Sequence, residues 1–186
     1  MTLTATTPAL KEWSAAVHAL LHGRQYVLLR KGGIGEKRFE VASPEFLLFP
    51  TVAHSHQERV RPEHRDLLGP AVADSTDDQL VIRAAAKVVA ALAVNRPERL
   101  EVIEDLHIWT AESVRADRLD FRPKHKLAAL VVSVIPLVEP IRLTRTPEYR
   151  GCTSWVQLPA RPALAAPIHD DAALIEIAAR VRDAVG

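Results

Sequence analysis

Lys126–Val138, KLAALVVSVIPLV, is the stretch on which the fold turns. It is apolar almost without interruption and β-branched through its centre, so it reads as a strand buried on both faces. Pro136 ends it or forces a bulge, because proline cannot donate to a sheet ladder. Downstream, Ile141–Leu143 and Ser154–Leu158 read as further short strands. Upstream, Gln25–Arg30 (QYVLLR) is a short strand after a turn, and Phe39–Val41 with Glu45–Phe49 forms a second strand region closed by Pro50. Gln79–Val94 is ambiguous: its alanines favour helix, while Leu80-Val81-Ile82 and Val88-Val89 favour strands at both ends.

Helical periodicity appears at the two ends of the chain. Leu10, Trp13, Val17, Leu20 and Leu21 recur at three- and four-residue spacing, which predicts an amphipathic helix over Leu10–Leu21 stopped by Gly23. Asp170 or Asp171 caps a last helix reaching Ala184, with Leu174, Ile177, Ala178 and Val181 inward. Between them, His54–Leu68 reads as a polar loop with helical turns, Pro62 fitting the first turn of one. Thr110 is an N-cap for a short helix over Ala111–Arg118. Residues 1–9 form a flexible arm, residues 10–158 one domain, and residues 159–186 a Pro/Ala linker followed by the C-terminal helix packed on that domain. Elements in this order do not alternate as a doubly wound sheet would. The expected class is α+β, a small twisted β-barrel or a strongly bent mixed sheet with flanking helices.

With 186 residues, 48% of them hydrophobic, the chain can bury a core without staples. A net charge of +1 excludes a polyelectrolyte that coats nucleic acid. One cysteine excludes an intramolecular disulfide and fits a reducing compartment. The sequence lacks a membrane-spanning run and an export-signal pattern at its start, so a cytoplasmic location with no membrane partner is expected.

Arg30-Lys31-Gly32-Gly33-Ile34-Gly35 follows a strand. Glycine turns expose backbone N–H groups as an anion nest, and the two cations suit a phosphate. The spacing is neither a P-loop nor a dinucleotide fingerprint, and a hairpin with charged flanks also explains it. A second basic group comprises Arg115, Arg118, Arg122, Lys124, His125 and Lys126. Arginine suits bidentate phosphate contacts, and Phe121 among them offers a stacking platform for a base. Glu112, Asp117 and Asp120 lie in the same stretch and provide the alternative, a solvated face of ion pairs.

His54, His56 and His64 with Glu58, Glu63 and Asp66 do not have a strong zinc spacing, and read as a polar loop. Cys152 reads as a buried structural thiol, and Trp13, Trp109 and Trp155 as core or half-buried anchors. The acid-x-lysine pair of restriction-type nucleases is absent throughout, as are the Gly-x-Ser-x-Gly elbow and the His-Glu-x-x-His pair. No cofactor and no metal site are expected.

Several separate segments resemble the bacterial domain-of-unknown-function family 1802, in the same order. They are Leu10-Lys11-Glu12-Trp13, Val27–Ile34, Glu45–Thr51, His107-Ile108-Trp109-Thr110, Phe121-Arg122-Pro123-Lys124 and Tyr149–Trp155. The run Ala53–Gln57 departs from the tighter Tyr/Glu-His-Gln pattern of that family. The resemblance implies an association with restriction-modification-like contexts, and so with nucleic acid. At the level of fold, Leu20–Arg24 followed by Val27–Arg30 is similar to the opening of PUA-like and ASCH β-barrels, which implies binding of RNA, modified bases or nucleotides.

The expected function is therefore nucleic-acid or nucleotide binding in a defence, restriction-like or repair setting. Arg30, Lys31, Gly32 and Gly33 would contact phosphate, with Arg122 and Lys124 as a second contact and Phe121 as stacker. Two alternatives stand beside it. One is a metal-dependent nuclease or phosphodiesterase using Glu36, Glu40 or Glu45 with His54, His56 or His64. The other is a non-enzymatic subunit that docks a protein partner.

Overall fold

A computed structural model of the chain describes residues 5–32 and 38–186. Its strands are β1 (Thr7–Trp13), β2 (Val27–Lys31), β3 (Glu45–Thr51), β4 (Gln79–Ala93), β5 (Leu127–Thr144) and β6 (Trp155–Leu158). They form one mixed sheet in the order β2-β5-β4-β3-β1-β6. Only the β1–β3 pair is parallel among these neighbours; the rest are antiparallel. With β2 and β6 at opposite edges the sheet does not close, so the mixed sheet, and not the barrel, is the form taken. The helices are α1 (Ser14–Leu21), α2 (His56–Arg59), α3 (Leu68–Ala73), α4 (Ala111–Val114) and α5 (Asp171–Val185). Three 3₁₀ segments, Pro62–Leu67, Pro97–Leu106 and Pro147–Tyr149, and a π-helical turn, Arg115–Asp120, are the remaining helical pieces.

β5 is covered on both faces, as its unbroken apolar run requires. Leu127, Ala129 and Val131 pack with Ala15, Leu174, Val181 and Val185. Leu130, Val132 and Val134 point the other way, to Leu10, Phe46 and Leu48. Pro136 forces a bulge and does not end the strand: pairing skips from Ala84↔Pro136 to Ile82↔Ile141, so Ile141–Leu143 continues β5. Gln79–Val94 resolves the same way. It is one strand whose alanines are held by a ladder to β5 on one side and a shorter one to β3 on the other.

Three expectations are corrected. Residues 10–13 are strand: β1 pairs with β3 on one side and β6 on the other, and two ladders outweigh a local helical spacing. The helix begins only at Ser14, and it is buried almost all round. Phe39–Val41 forms no strand. Residues 163–168 also do more than link. Val138 N–H donates to Ala163 O, Ala165 N–H to Pro136 O and Ile168 N–H to Val134 O, at 2.8–3.0 Å. This strap satisfies backbone groups at the Pro136 bulge and leads into α5, whose cap is the Asp170 carboxylate accepting from Ala173 N–H at 2.7 Å.

One buried ion pair ties the helices to the sheet. Asp74, at the end of α3, is 2% exposed. Its carboxylate receives Arg83 Nε at 2.6 Å and Nη2 at 2.8 Å from β4, and lies 2.6 Å from His18 Nε2 of α1. Burial alone would raise the Asp74 pKa, but the bonds from His18 and Arg83 hold it below the usual carboxylate value.

Candidate nucleic-acid interface

Arg30 and Lys31 leave β2 at one end of the sheet, where sequence reasoning places phosphate contacts. The Arg30 guanidinium turns inward: Nη1 donates to Lys11 O at 3.0 Å and to Glu12 Oε2 at 3.3 Å. Its Cζ lies 5.2 Å from the Phe39 ring centre. Lys31 Nζ donates to three carbonyl oxygens, of Arg118 at 2.7 Å, Leu119 at 3.3 Å and Phe121 at 2.5 Å. These are carbonyls at the C-terminal end of the π turn, where an ammonium is favoured. Burial lowers the Lys31 pKa, as does Arg118 nearby, against the opposing charge of Asp120. Gly32 is buried and its carbonyl accepts from His125 Nδ1 at 3.2 Å. Gly33, with residues 34–37, lies outside the described residues.

These bonds bring the end of β2 and residues 118–126 to one corner of the molecule, a juxtaposition that sequence reasoning left open. There Phe121 is 56% exposed. The Arg122 Cζ sits 4.9 Å from its ring centre, and Arg122 has a φ of 51°, a left-handed backbone that residues other than glycine rarely adopt. Lys124 and Lys126 are exposed, and Lys126 forms a β-bridge with Arg38. Among the described residues none of Arg38, Arg122, Lys124 and Lys126 has a salt-bridge partner. A groove of about 500 Å³ opens beside them, floored by Phe39, Leu92, Leu127 and Leu130, with Arg38 and Lys126 on its rim.

A second, buried cluster draws on several of the segments that carry the family resemblance, and sequence reasoning missed it as a unit. The His56 ring lies 4.6 Å from Trp13 and 6.4 Å from Trp109, centre to centre. Burial pushes its pKa down to about 4, helped by Arg59, and neither ring nitrogen has a partner among the described residues. Arg59 Nε donates to Asp117 Oδ2 at 2.5 Å, while its Cζ stands 5.1 Å from Trp13. Arg118 Nε donates to Leu29 O at 3.0 Å. The space left between these groups is about 10 Å³, barely one water. The cluster is packed solid, and it braces α2, α4 and the π turn against β1 and β2. The only signal for it was the recurrence of Trp and His in otherwise separate motifs.

The remaining histidines and acids scatter. His54 is exposed while His56 is buried. His64 Nε2 lies 3.4 Å from Arg61. Among the described residues no three of the His, Cys, Asp and Glu side chains gather as metal ligands. Glu36 lies outside those residues. Cys152 is exposed, not buried: Gly151, at φ 95°, turns the chain outward there. No helix among the described residues is long and apolar enough to cross a membrane.

Residues 9–180 match the family described as a domain of unknown function (DUF1802), and the chain belongs to that family. No curated protein and no solved structure matches it.

Proposed function

We propose that this protein binds nucleic acid or a nucleotide at the corner where residues 121–126 meet the end of β2. The observation that carries the reading is the exposed Phe121 ring, paired face-on with Arg122 and flanked by Lys124, Lys126 and Arg38. An aromatic platform stacks any base, and cations without a salt-bridge partner among the described residues take the phosphates of the same strand. Arg30 and Lys31 act here as supports: each is committed to protein oxygens, and Lys31 holds the carbonyl of Phe121 itself. Single-stranded DNA or RNA fits an exposed ring better than duplex, whose bases are already stacked.

Fluorescence anisotropy against labelled single- and double-stranded DNA and RNA, at low and moderate salt, tests this. Salt-sensitive binding that is lost in Phe121→Ala and Arg122→Ala supports the reading. Absence of binding to all four probes at low salt overturns it.

A further inference from the structure

A separate cavity of about 270 Å³ lies between the 3₁₀ segment Pro97–Leu106 and the α4–π-turn segment. Its floor is Leu100, Trp109, Val114 and Leu119, and its rim carries Glu98, Glu101 and Glu104 with Arg115 opposite. His107 also borders it, although the residue is only 2% exposed. The backbone N–H of Trp109 donates to His107 Nδ1 at 3.1 Å. That bond fixes the tautomer with its proton on Nε2, which has no hydrogen-bond partner among the described residues.

From this arrangement we infer that the cavity is a binding site for a single nucleobase, with His107 Nε2–H donating to a ring nitrogen or carbonyl of the base. The volume lies just below the usual range for cofactor pockets, which suits one heteroaromatic ring system and leaves no room for a dinucleotide. Apolar walls with one indole suit the flat faces of such a ring. The glutamates accept from an exocyclic amino group and repel phosphate, so an amino-bearing base is preferred, and the unphosphorylated nucleoside over its monophosphate. Burial, chiefly, keeps His107 neutral near pH 7, with a pKa of about 4, so its donor role does not change across the neutral range. The base comes either as a free nucleoside or splayed from a strand, because Leu119 in the cavity wall is two residues from exposed Phe121. The cavity reading rests on its own residues and does not require the Phe121 corner.

The test is calorimetry and His107 ring chemical shifts on the full chain, with adenosine, guanosine, cytidine and uridine, their 5′-monophosphates, and a short single strand. Saturable binding is expected for the amino-bearing nucleosides, weaker for uridine and for the monophosphates. Binding falls about tenfold or more in His107→Asn, whose Oδ1 can keep the bond from Trp109 N–H but which places no donor where Nε2–H stood, leaving a base acceptor unpaired. Ala111→Trp, at an exposed residue of the cavity mouth, fills the entrance without touching the core and abolishes binding. Ring shifts with a nucleoside identify a free ligand, and shifts with the strand alone identify a splayed base. No shift with either overturns the inference, as does nucleoside binding that survives both substitutions. The His107 ring shifts report the cavity alone, so failure of the corner and failure of the cavity are read separately.

Discussion

His125 Nδ1 donates to the carbonyl of Gly32 at 3.2 Å, across a separation of 93 residues. With the three carbonyls held by Lys31, this contact makes one surface from two segments that the sequence keeps far apart. The division of labour at that surface is testable, because supporting cations and phosphate-binding cations respond differently to salt.

Lys124→Ala lowers the slope of log binding constant against log salt by about 1, the loss of one phosphate contact. Lys31→Met leaves the slope nearly unchanged and instead destabilises the fold by about 1–3 kcal/mol, through three carbonyls left short of their donor. Anisotropy across a salt series and urea unfolding separate the two. Equal slopes for Lys124→Ala and the parent protein would sink the phosphate role of Lys124.

Phe121→Ala weakens single-strand binding by about 1–3 kcal/mol. Its ring is largely exposed, so the melting temperature stays where it was. A fall in melting temperature matching the fall in affinity would mean that the ring serves packing and not recognition.

Acid destabilises this protein in two separate windows. His56 and His107, each pushed down to about 4 by burial, stay neutral in the folded chain. In the unfolded chain they titrate near 6.5. Their contribution is full above about pH 6.5 and is lost as pH falls through 6.5 toward 4. This costs about 2 kcal/mol per histidine between pH 7 and pH 5. The lowered Asp74 pKa acts further down: its stabilisation is present above the unfolded carboxylate value and is lost as pH falls through the folded one. Urea unfolding at pH 7, 5 and 4 measures both, and His56→Phe should remove about half of the upper window and leave the lower one unchanged.

Asp74→Ala strips the only acidic partner that Arg83 and His18 have among the described residues. Removing one side of a buried pair typically costs about 3–5 kcal/mol, and the value here falls at the lower end because the Arg83 side chain is 35% exposed and regains water. Denaturant midpoints of Asp74→Ala and Asp74→Asn provide the check. A loss under about 1 kcal/mol would show that the pair holds little.

What was legible in the sequence was local chemistry. Asp170 and Thr110 cap helices because short acceptor side chains at those positions satisfy N–H groups two or three residues on. Pro62 opens a 3₁₀ turn, and the apolar run after Lys126 is covered on both faces. What was not legible depended on partners distant in sequence. Leu10–Trp13 has helical spacing, yet two neighbouring strands claim it. Arg30 looks like an exposed cation beside glycines until Glu12, itself buried, is seen to face it. The spacing of Trp13, His56 and Trp109 in the chain says nothing of their meeting, and the recess beside His107 needs Leu100 and Leu119 brought together from different segments.

The position of β1 between β3 and β6 has a further consequence, for synthesis of the chain. Ala9 pairs with Leu47 on one side and Val156 on the other. On the ribosome the first strand therefore gains its parallel neighbour early, but keeps one open edge until the sixth strand emerges. An unpaired strand edge beside apolar Ala9 and Leu10 invites other chains. Pairing with Trp155–Leu158 is what closes that edge of β1.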